Sequence, residues 1–345
     1  MKTFKKISLF LLIIFYSTSY SQELETILLA KDDAQKLTKA YLNPSFKGLI
    51  FAMNNGWYHT AKVHKKFGFD ISIGANFATI PNEEELFSIA ELELSNNTIT
   101  TNGATSSPTV AGSNSISPAQ FQYSTQIEGQ NVSANFTMPT GIKEDLPANT
   151  IPAPAIQVGF GLPFKLDLII RYVPKVGSED VKTDIFGLGI KKEITELLGP
   201  LDKTPLHISI LAAYSNMGVN YEIGNVNNDV STQNAAANFS LNTYTIQAIA
   251  SLNFPVLNVF GGIGYNGGSI RLNMLGNYTL NYNTSINGAP DVEESITDPF
   301  SIKTSSGSIN ATIGTRVSLG FFKLYGSYSL QEYNTINTGI AFIFR

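Results

Sequence analysis

No cysteine occurs anywhere in this chain of 345 residues, so neither a disulfide nor a thiolate metal site contributes to its stability. Charge is scarce as well. Asp, Glu, Lys and Arg make up 14% of the sequence, against roughly a quarter in soluble domains. The formal net charge is −4 and the pI about 5.5, a balance that argues against nucleic acid, whose phosphates need a basic surface. The three histidines, His59, His64 and His207, lack metal-ligand spacing, and there is no Gly-x-Ser-x-Gly elbow. No catalytic residue, metal or cofactor is expected, and the chain is not read as an enzyme. The Gly-x-Gly pairs at 159/161, 187/189 and 262/264 are not nucleotide loops, because no P-loop lysine and serine follow them. At alternate strand positions they are expected to let a sheet curve.

Long hydrophobic runs are missing too. The run Ile7–Tyr16 is well short of the ~20 residues a spanning helix needs. Lys2, Lys5 and Lys6 precede it and Ser19-Tyr20-Ser21 follows, so residues 1–21 read as a signal peptide. Yet mean hydropathy is +0.03. The apolar residues are spread thinly, at every second position. Phe164, Leu166, Leu168, Ile170 and Tyr172 alternate with Lys165, Asp167 and Arg171, a period of two that belongs to a strand with one apolar and one polar face. In an exported chain poor in charge, the solvent for the apolar face is expected to be lipid.

The pattern predicts strands at Phe67–Thr79, Ala153–Leu162, Phe164–Val173, Thr183–Lys191, Thr204–Met217, Ala236–Asn253, Val256–Arg271, Ser306–Leu319, Phe321–Gln331 and Thr335–Arg345. Ten is even, as a bacterial barrel requires. Weaker alternation at 121–128, 132–138 and 277–283 would extend strands or add hairpins, which widens the count to between ten and fourteen. Short connections fall on one side and the long stretches near 80–152, 218–235 and 272–305 on the other. Both ends of the mature chain are therefore expected on the short-turn side, in the periplasm. Ser95–Ser117, rich in Asn, Thr, Ser and Gly, reads as a flexible polar loop. The fold expected is all-β, an antiparallel transmembrane β-barrel over 67–345 preceded by a helical N-terminal plug segment over 22–66.

That segment shows helical spacing from Glu23 to Tyr41, with Leu42-Asn43-Pro44 expected to end the helix and Asn54-Asn55-Gly56 to form a turn. Plug or hatch residues would be Tyr41, Asn43, Pro44, Asn54, Asn55, Gly56, Trp57 and Tyr58. The outward set (Phe69, Ile71, Ile73, Ile156, Val158, Ile208, Ile210, Ile246) contains no Lys or Arg, which at mid-depth would cost ~2–4 kcal/mol. The lumen-facing candidates are Asp70, Asp167, Arg171, Asp184, His207 and Arg316. Lys165, Lys191 and Lys323, near turns, read as solvated strand ends. The acidic clusters Glu83–Glu85 and Asp291–Glu294 lie in the long connections, where they could hold divalent ions that bridge lipopolysaccharide.

The segment Asn54-Asn55-Gly56-Trp57-Tyr58-His59-Thr60-Ala61, with Phe67-Gly68-Phe69-Asp70 and Gly187-Leu188-Gly189-Ile190-Lys191, resembles an uncharacterised family of Bacteroidota outer-membrane barrel proteins. A second resemblance is to the FadL-type transporters of fatty acids and hydrocarbons. In that family a Tyr-x-Asn-Pro-like turn precedes a fourteen-stranded barrel; Tyr41-Leu42-Asn43-Pro44 matches it, followed here by Ser45-Phe46 where the pattern has Ala-Gly. These resemblances imply the outer membrane of a Gram-negative, Bacteroidota-like bacterium. They also imply outer-membrane lipid and lipopolysaccharide as partners, and a small hydrophobic ligand. The expectation is a plugged passive channel, with a non-transporting docking barrel and a secreted soluble β-sandwich as alternatives.

Overall fold

The computed structural model describes residues 25–178, 180–224, 229–284 and 291–344; the signal peptide expected over 1–21, and Arg345, lie outside them. A 3-10 turn, Glu25–Ala30, leads into one long helix, α1 (Asp32–Asn54). The first wall strand, β1 (Phe69–Thr79), is followed by a long excursion carrying β2 (Leu86–Ser88), β3 (Thr98–Thr100), β4 (Ser106–Pro108), β5 (Gln120–Ile127) and β6 (Gln130–Thr137). The chain then runs through β7 (Thr150–Leu162), β8 (Leu166–Gly177), β9 (Val181–Glu193), β10 (Leu206–Ile223), β11 (Val230–Asn253) and β12 (Leu257–Thr284). It ends with β13 (Val292–Thr297), β14 (Ser301–Leu319), β15 (Phe322–Leu330) and β16 (Thr335–Phe344).

Ten of these strands form a closed ring. Strands β7 to β12 pair in succession, β12 pairs with β14, and β14 to β16 continue the ladder. Strand β1 then pairs antiparallel with both β7 and β16, Phe69 standing opposite Phe344 and Ile73 opposite Ile340. A sheet closed on itself has no free edge, and this rules out the soluble two-sheet sandwich. All ten expected strands are present. The weakly alternating segments become a hairpin, β5–β6, and an extension of β12 that β13 and β6 join.

Outer and inner faces alternate as expected. On β9 the outer face carries Phe186, Leu188 and Ile190, all exposed, while Thr183, Ile185, Gly187, Gly189 and Lys191 point inward. One expectation fails here: Asp184 shares the parity of Phe186 and faces outward, not into the lumen. Because the side-chain period is two, a residue's face follows from the register of its whole strand, not from its polarity. Lys182, two residues away on the same face, is exposed, and so are Arg271 of β12 and Lys303 of β14, which stand opposite each other. Together they mark where the apolar belt ends and water begins.

The polar stretch 95–117, expected as a flexible loop, is tied down. Its strands β3 and β4 pair with β5 and β2, and Asp33 of α1 accepts from Ser95 N–H, Ser95 Oγ and Thr98 Oγ1 at 2.6–3.1 Å. Burial alone would push the Asp33 carboxyl up, but these hydrogen bonds outweigh it and hold the group below its usual range. A depressed carboxyl contributes stability that is present above its unfolded pKa, about 3.9, and lost as pH falls through the lower folded value. Proteolytic cutting within 95–100 should therefore be slow at neutral pH and rise as the pH drops below about 4. Asp33→Ala should bring the fast cutting to neutral pH, and equal rates for the variant and the wild type would refute the clamp.

The helix fills the lumen. Its 23 residues span about 34 Å at 1.5 Å each. Here the expected stop at Leu42-Asn43-Pro44 is overturned, because α1 runs through Pro44 to Asn54. An interior proline removes one backbone bond and costs ~3 kcal/mol. Burial of Phe46, Ile50, Phe51 and Met53 against Ile151, Val173, Ile185, Met217, Leu241, Ile270 and Ile302 of the wall offsets it, at ~1.5–3 kcal/mol per side chain.

The direction of the segment also differs from expectation. Leu28, Leu29 and Leu37 pack with Phe121, Phe136, Tyr278 and Tyr282, beyond the belt at the rim of the long connections, and Tyr282 Oη donates to Leu29 O at 3.1 Å. The segment thus enters from the far rim and descends to the short-turn rim, where β1 begins.

Half of the carboxylates in the acidic clusters, Glu84, Glu85 and Glu294, are ion-paired. Lys47 pairs with Glu84 at 2.7 Å, Lys143 with Glu85, and Lys31 with Glu294 at 2.5 Å, which leaves those carboxylates engaged rather than open to divalent ions.

Candidate functional site

Below α1 the backbone leaves helical geometry at the Asn54-Asn55-Gly56 turn, where Gly56 has φ +74°, a left-handed conformation that glycine adopts without penalty. From there residues 55–66 form an irregular strap across the short-turn end of the lumen. A strap without secondary structure cannot satisfy its own N–H and C=O groups. Wall side chains do it instead.

Arg171 is fully buried, 0% exposed. Its Nη1 donates to Met53 O at 2.7 Å and its Nη2 to Asn55 O at 2.9 Å and Gln157 Oε1 at 3.2 Å, while the guanidinium lies 4.0 Å from the centre of the Trp57 ring. Gln157 Nε2 donates to Gly56 O. Ser251 Oγ accepts from Ala61 N–H, and Ser209 Oγ donates to Ala61 O. Lys191 Nζ donates to the carbonyls of Thr60 and Lys62. Glu193 accepts from Val63 N–H at 3.1 Å, and Asp167 from His64 N–H at 2.9 Å.

The three histidines each meet a carboxylate in this region. His64 Nδ1 lies 3.1 Å from Asp167, which also pairs with Lys191 at 2.9 Å. His207 Nδ1 lies 2.6 Å from Glu193. His59 sits between Asp70, 2.9 Å from its Nε2, and Arg316, whose Nη1 lies 3.0 Å from its Nδ1. A guanidinium can only donate, so His59 Nδ1 accepts and Nε2 carries the proton toward Asp70. That fixes the tautomer of a neutral ring.

Of the expected lumen residues, Asp70, Asp167, Arg171 and Arg316 converge on the strap, and His207 joins at the rim. Asp184, on the outer face, does not. The expected hatch divides in two. Asn54, Asn55, Gly56, Trp57 and Tyr58 form the junction of helix and strap. Tyr41, Asn43 and Pro44 lie some three turns higher on α1, where Tyr41 Oη donates to Thr140 O.

Lys191, read from sequence as a solvated end, is 4% exposed and central to the network. Sequence reasoning also missed His59, His64, Gln157 and Glu193. The available signal was parity, since Lys191 and Glu193 share the inward face of Gly187 and Gly189. Those two glycines serve close approach rather than curvature alone: a Cβ on Gly187 or Gly189 would lie 2.9 or 3.1 Å from the Trp57 indole.

Between strap and wall remains a cavity of about 190 Å³, roughly the share of six liquid waters. Lys62, Lys65, His59, His64, Asp70 and Arg316 line it, with Trp57 and Ile169 as apolar walls. No cluster of three metal-ligating side chains occurs among the described residues.

A model described as "Family of unknown function (DUF6588)" matches residues 1–344. The chain belongs to that family. The expected likeness to an uncharacterised family is thereby met for the whole DUF6588 chain, with no taxon attached. No curated protein matches the sequence. Among solved structures, the attachment invasion locus protein Ail of Yersinia pestis is similar at 9% identity and TM-score 0.27, over 81% of this chain and 100% of that one. The outer membrane protease OmpT from Escherichia coli is similar at 10% identity and TM-score 0.30, over 81% and 99%.

Proposed function

We propose that this barrel resides in the outer membrane and is a gated passive channel, closed at rest by its own N-terminal segment. On this reading the short-turn rim faces the periplasm, and displacement of the strap admits a small molecule. The carrying observation is the change in character down the lumen. The upper half of α1 is sealed by apolar packing. The strap is held by hydrogen bonds and ion pairs from Arg171, Lys191, Asp167, Glu193 and Ser251, which water can replace when the strap leaves.

The hydrophobic cargo implied by the FadL-type resemblance would meet Ile169, Leu211 and Ile249 once Trp57 and Tyr58 withdraw. A docking role has its own supporting observation, the strands β3, β5 and β6 and the β12–β13 extension built above the far rim. Recovery of a stable partner with no uptake defect on deletion would favour it, and lipopolysaccharide contact belongs to the same rim.

A staple tests the gate. Thr60 Oγ1 and Ser251 Oγ lie 3.2 Å apart, close enough for two cysteines to reach the ~2.05 Å of a disulfide after small adjustment, and the chain has no other cysteine. The double variant Thr60→Cys/Ser251→Cys should pass no current in planar bilayers when oxidised and regain wild-type opening on reduction. Equal conductance in both states, or a wild type that never opens, would falsify the gate.

A further inference from the structure

We infer that the cavity beside the strap is a binding site for a small oxyanion, a molecule bearing a carboxylate or phosphate group, with Arg316 as its anchor. Arg316 is 8% exposed, yet no carboxylate lies within salt-bridge distance of it among the described residues. Its Nη1 is committed to the ring nitrogen of His59, which brings no charge, and its buried Nε has no partner. The carboxylate that acts on it, Asp70, does so beyond salt-bridge distance and through the intervening His59 ring, so the buried cation is only indirectly compensated, which is costly. A planar guanidinium is also the group best shaped to take a carboxylate or phosphate through two parallel hydrogen bonds.

The remainder of the lining agrees. Lys62 and Lys65, on the strap at the short-turn rim, are exposed and line the same cavity. Asp167 is already saturated by Lys191 and by two donors of His64. Asp70 is held by His59 and by Gly159 N–H at 3.0 Å. With those two carboxylates engaged, the lining of Lys62, Lys65, Lys191 and Arg316 carries an excess of two positive charges over Asp70 and Asp167. The ligand enters from the short-turn rim, its anionic head on Arg316 and its remainder against Trp57 and Ile169. The cavity admits only a small body. The site exists in the closed barrel and so does not depend on the gate.

Calorimetric titration of the full-length protein in detergent with sodium phosphate and, separately, with sodium pyruvate distinguishes the two head groups. Saturable binding of at least one is expected, weakening as salt is raised. Arg316→Met should reduce that affinity at least tenfold, and Lys62→Met/Lys65→Met should reduce it less. Lys303→Met, on the outer face, should leave it unchanged. Because Arg316→Met removes a buried group, its folding is checked by the heat-dependent gel shift of barrels, and Arg316→Lys should retain part of the binding. Absence of saturable binding by either anion, or equal affinity in folded Arg316→Met, would overturn the assignment.

Discussion

A protein lacking residues 22–65 should insert as a ten-stranded barrel and conduct steadily, where the full-length chain opens only intermittently. The wall owes its closure to strand pairing, since every ring strand has two hydrogen-bonded neighbours, and the deleted segment contributes none of those ladders. What the segment does contribute is bulk. Eight strands already leave an interior that side chains just fill. A ten-stranded wall leaves more, and α1 and the strap occupy it. Their removal wets the inner surface formed by Val173, Ile185, Met217, Leu241, Ile270 and Ile302, at ~25 cal/mol for each Å² of apolar area exposed. The variant should be less stable but still shift on a denaturing gel. Full-length conductance in a variant that retains the gel shift would remove the plug role altogether.

The second large effect is expected from Arg171→Ala. The truncation leaves the Met53 carbonyl buried without that donor, at ~1–3 kcal/mol, while Asn55 O keeps Asn76 Nδ2, and it removes a desolvated cation–π contact with Trp57 worth ~2 kcal/mol. The loss, on the order of 4 kcal/mol, falls at the junction of helix and strap and not on the strand ladders. Hydrogen exchange in 55–66 should therefore accelerate and opening become frequent, while the temperature of the gel shift changes little. Arg171→Lys should recover part of the protection, because one ammonium reaches one carbonyl more readily than two. A fall in barrel melting without faster exchange in the strap would place Arg171 in the wall rather than in the closure.

Much of the wall was legible because alternation reports directly which face a side chain takes. The ten expected strands all form, and the outward set from Phe69 to Ile246 is outward. Alternation does not report depth or partners, which is why Lys191 reads as a solvated end until Asp167 and the carbonyls of Thr60 and Lys62 are placed around it. Near a rim even the face is ambiguous, since water tolerates charge on either side; Asp184 shows this. At Pro44 a local rule met a stronger tertiary term, because a helix walled in by apolar strands gains more from continuing than it loses with one missing bond. The buried contacts of His59 and His64 join residues that only ring closure brings together, and no sequence spacing announces them.

The path of α1 and the strap from one rim to the other constrains how the molecule is assembled. The finished ring encircles a covalently continuous chain, like a cuff around a cord. Either the seam between β1 and β16 zips last, around a core already laid across the nascent sheet, or the leading end is drawn through a completed ring. The second route would drag Lys31, Asp32, Asp33, Lys36 and Lys39 past the apolar inner wall, a passage unfavourable to charge. Closing the ring around the segment avoids that passage, and on that route the segment that later blocks the lumen is also the mandrel on which the wall is wound.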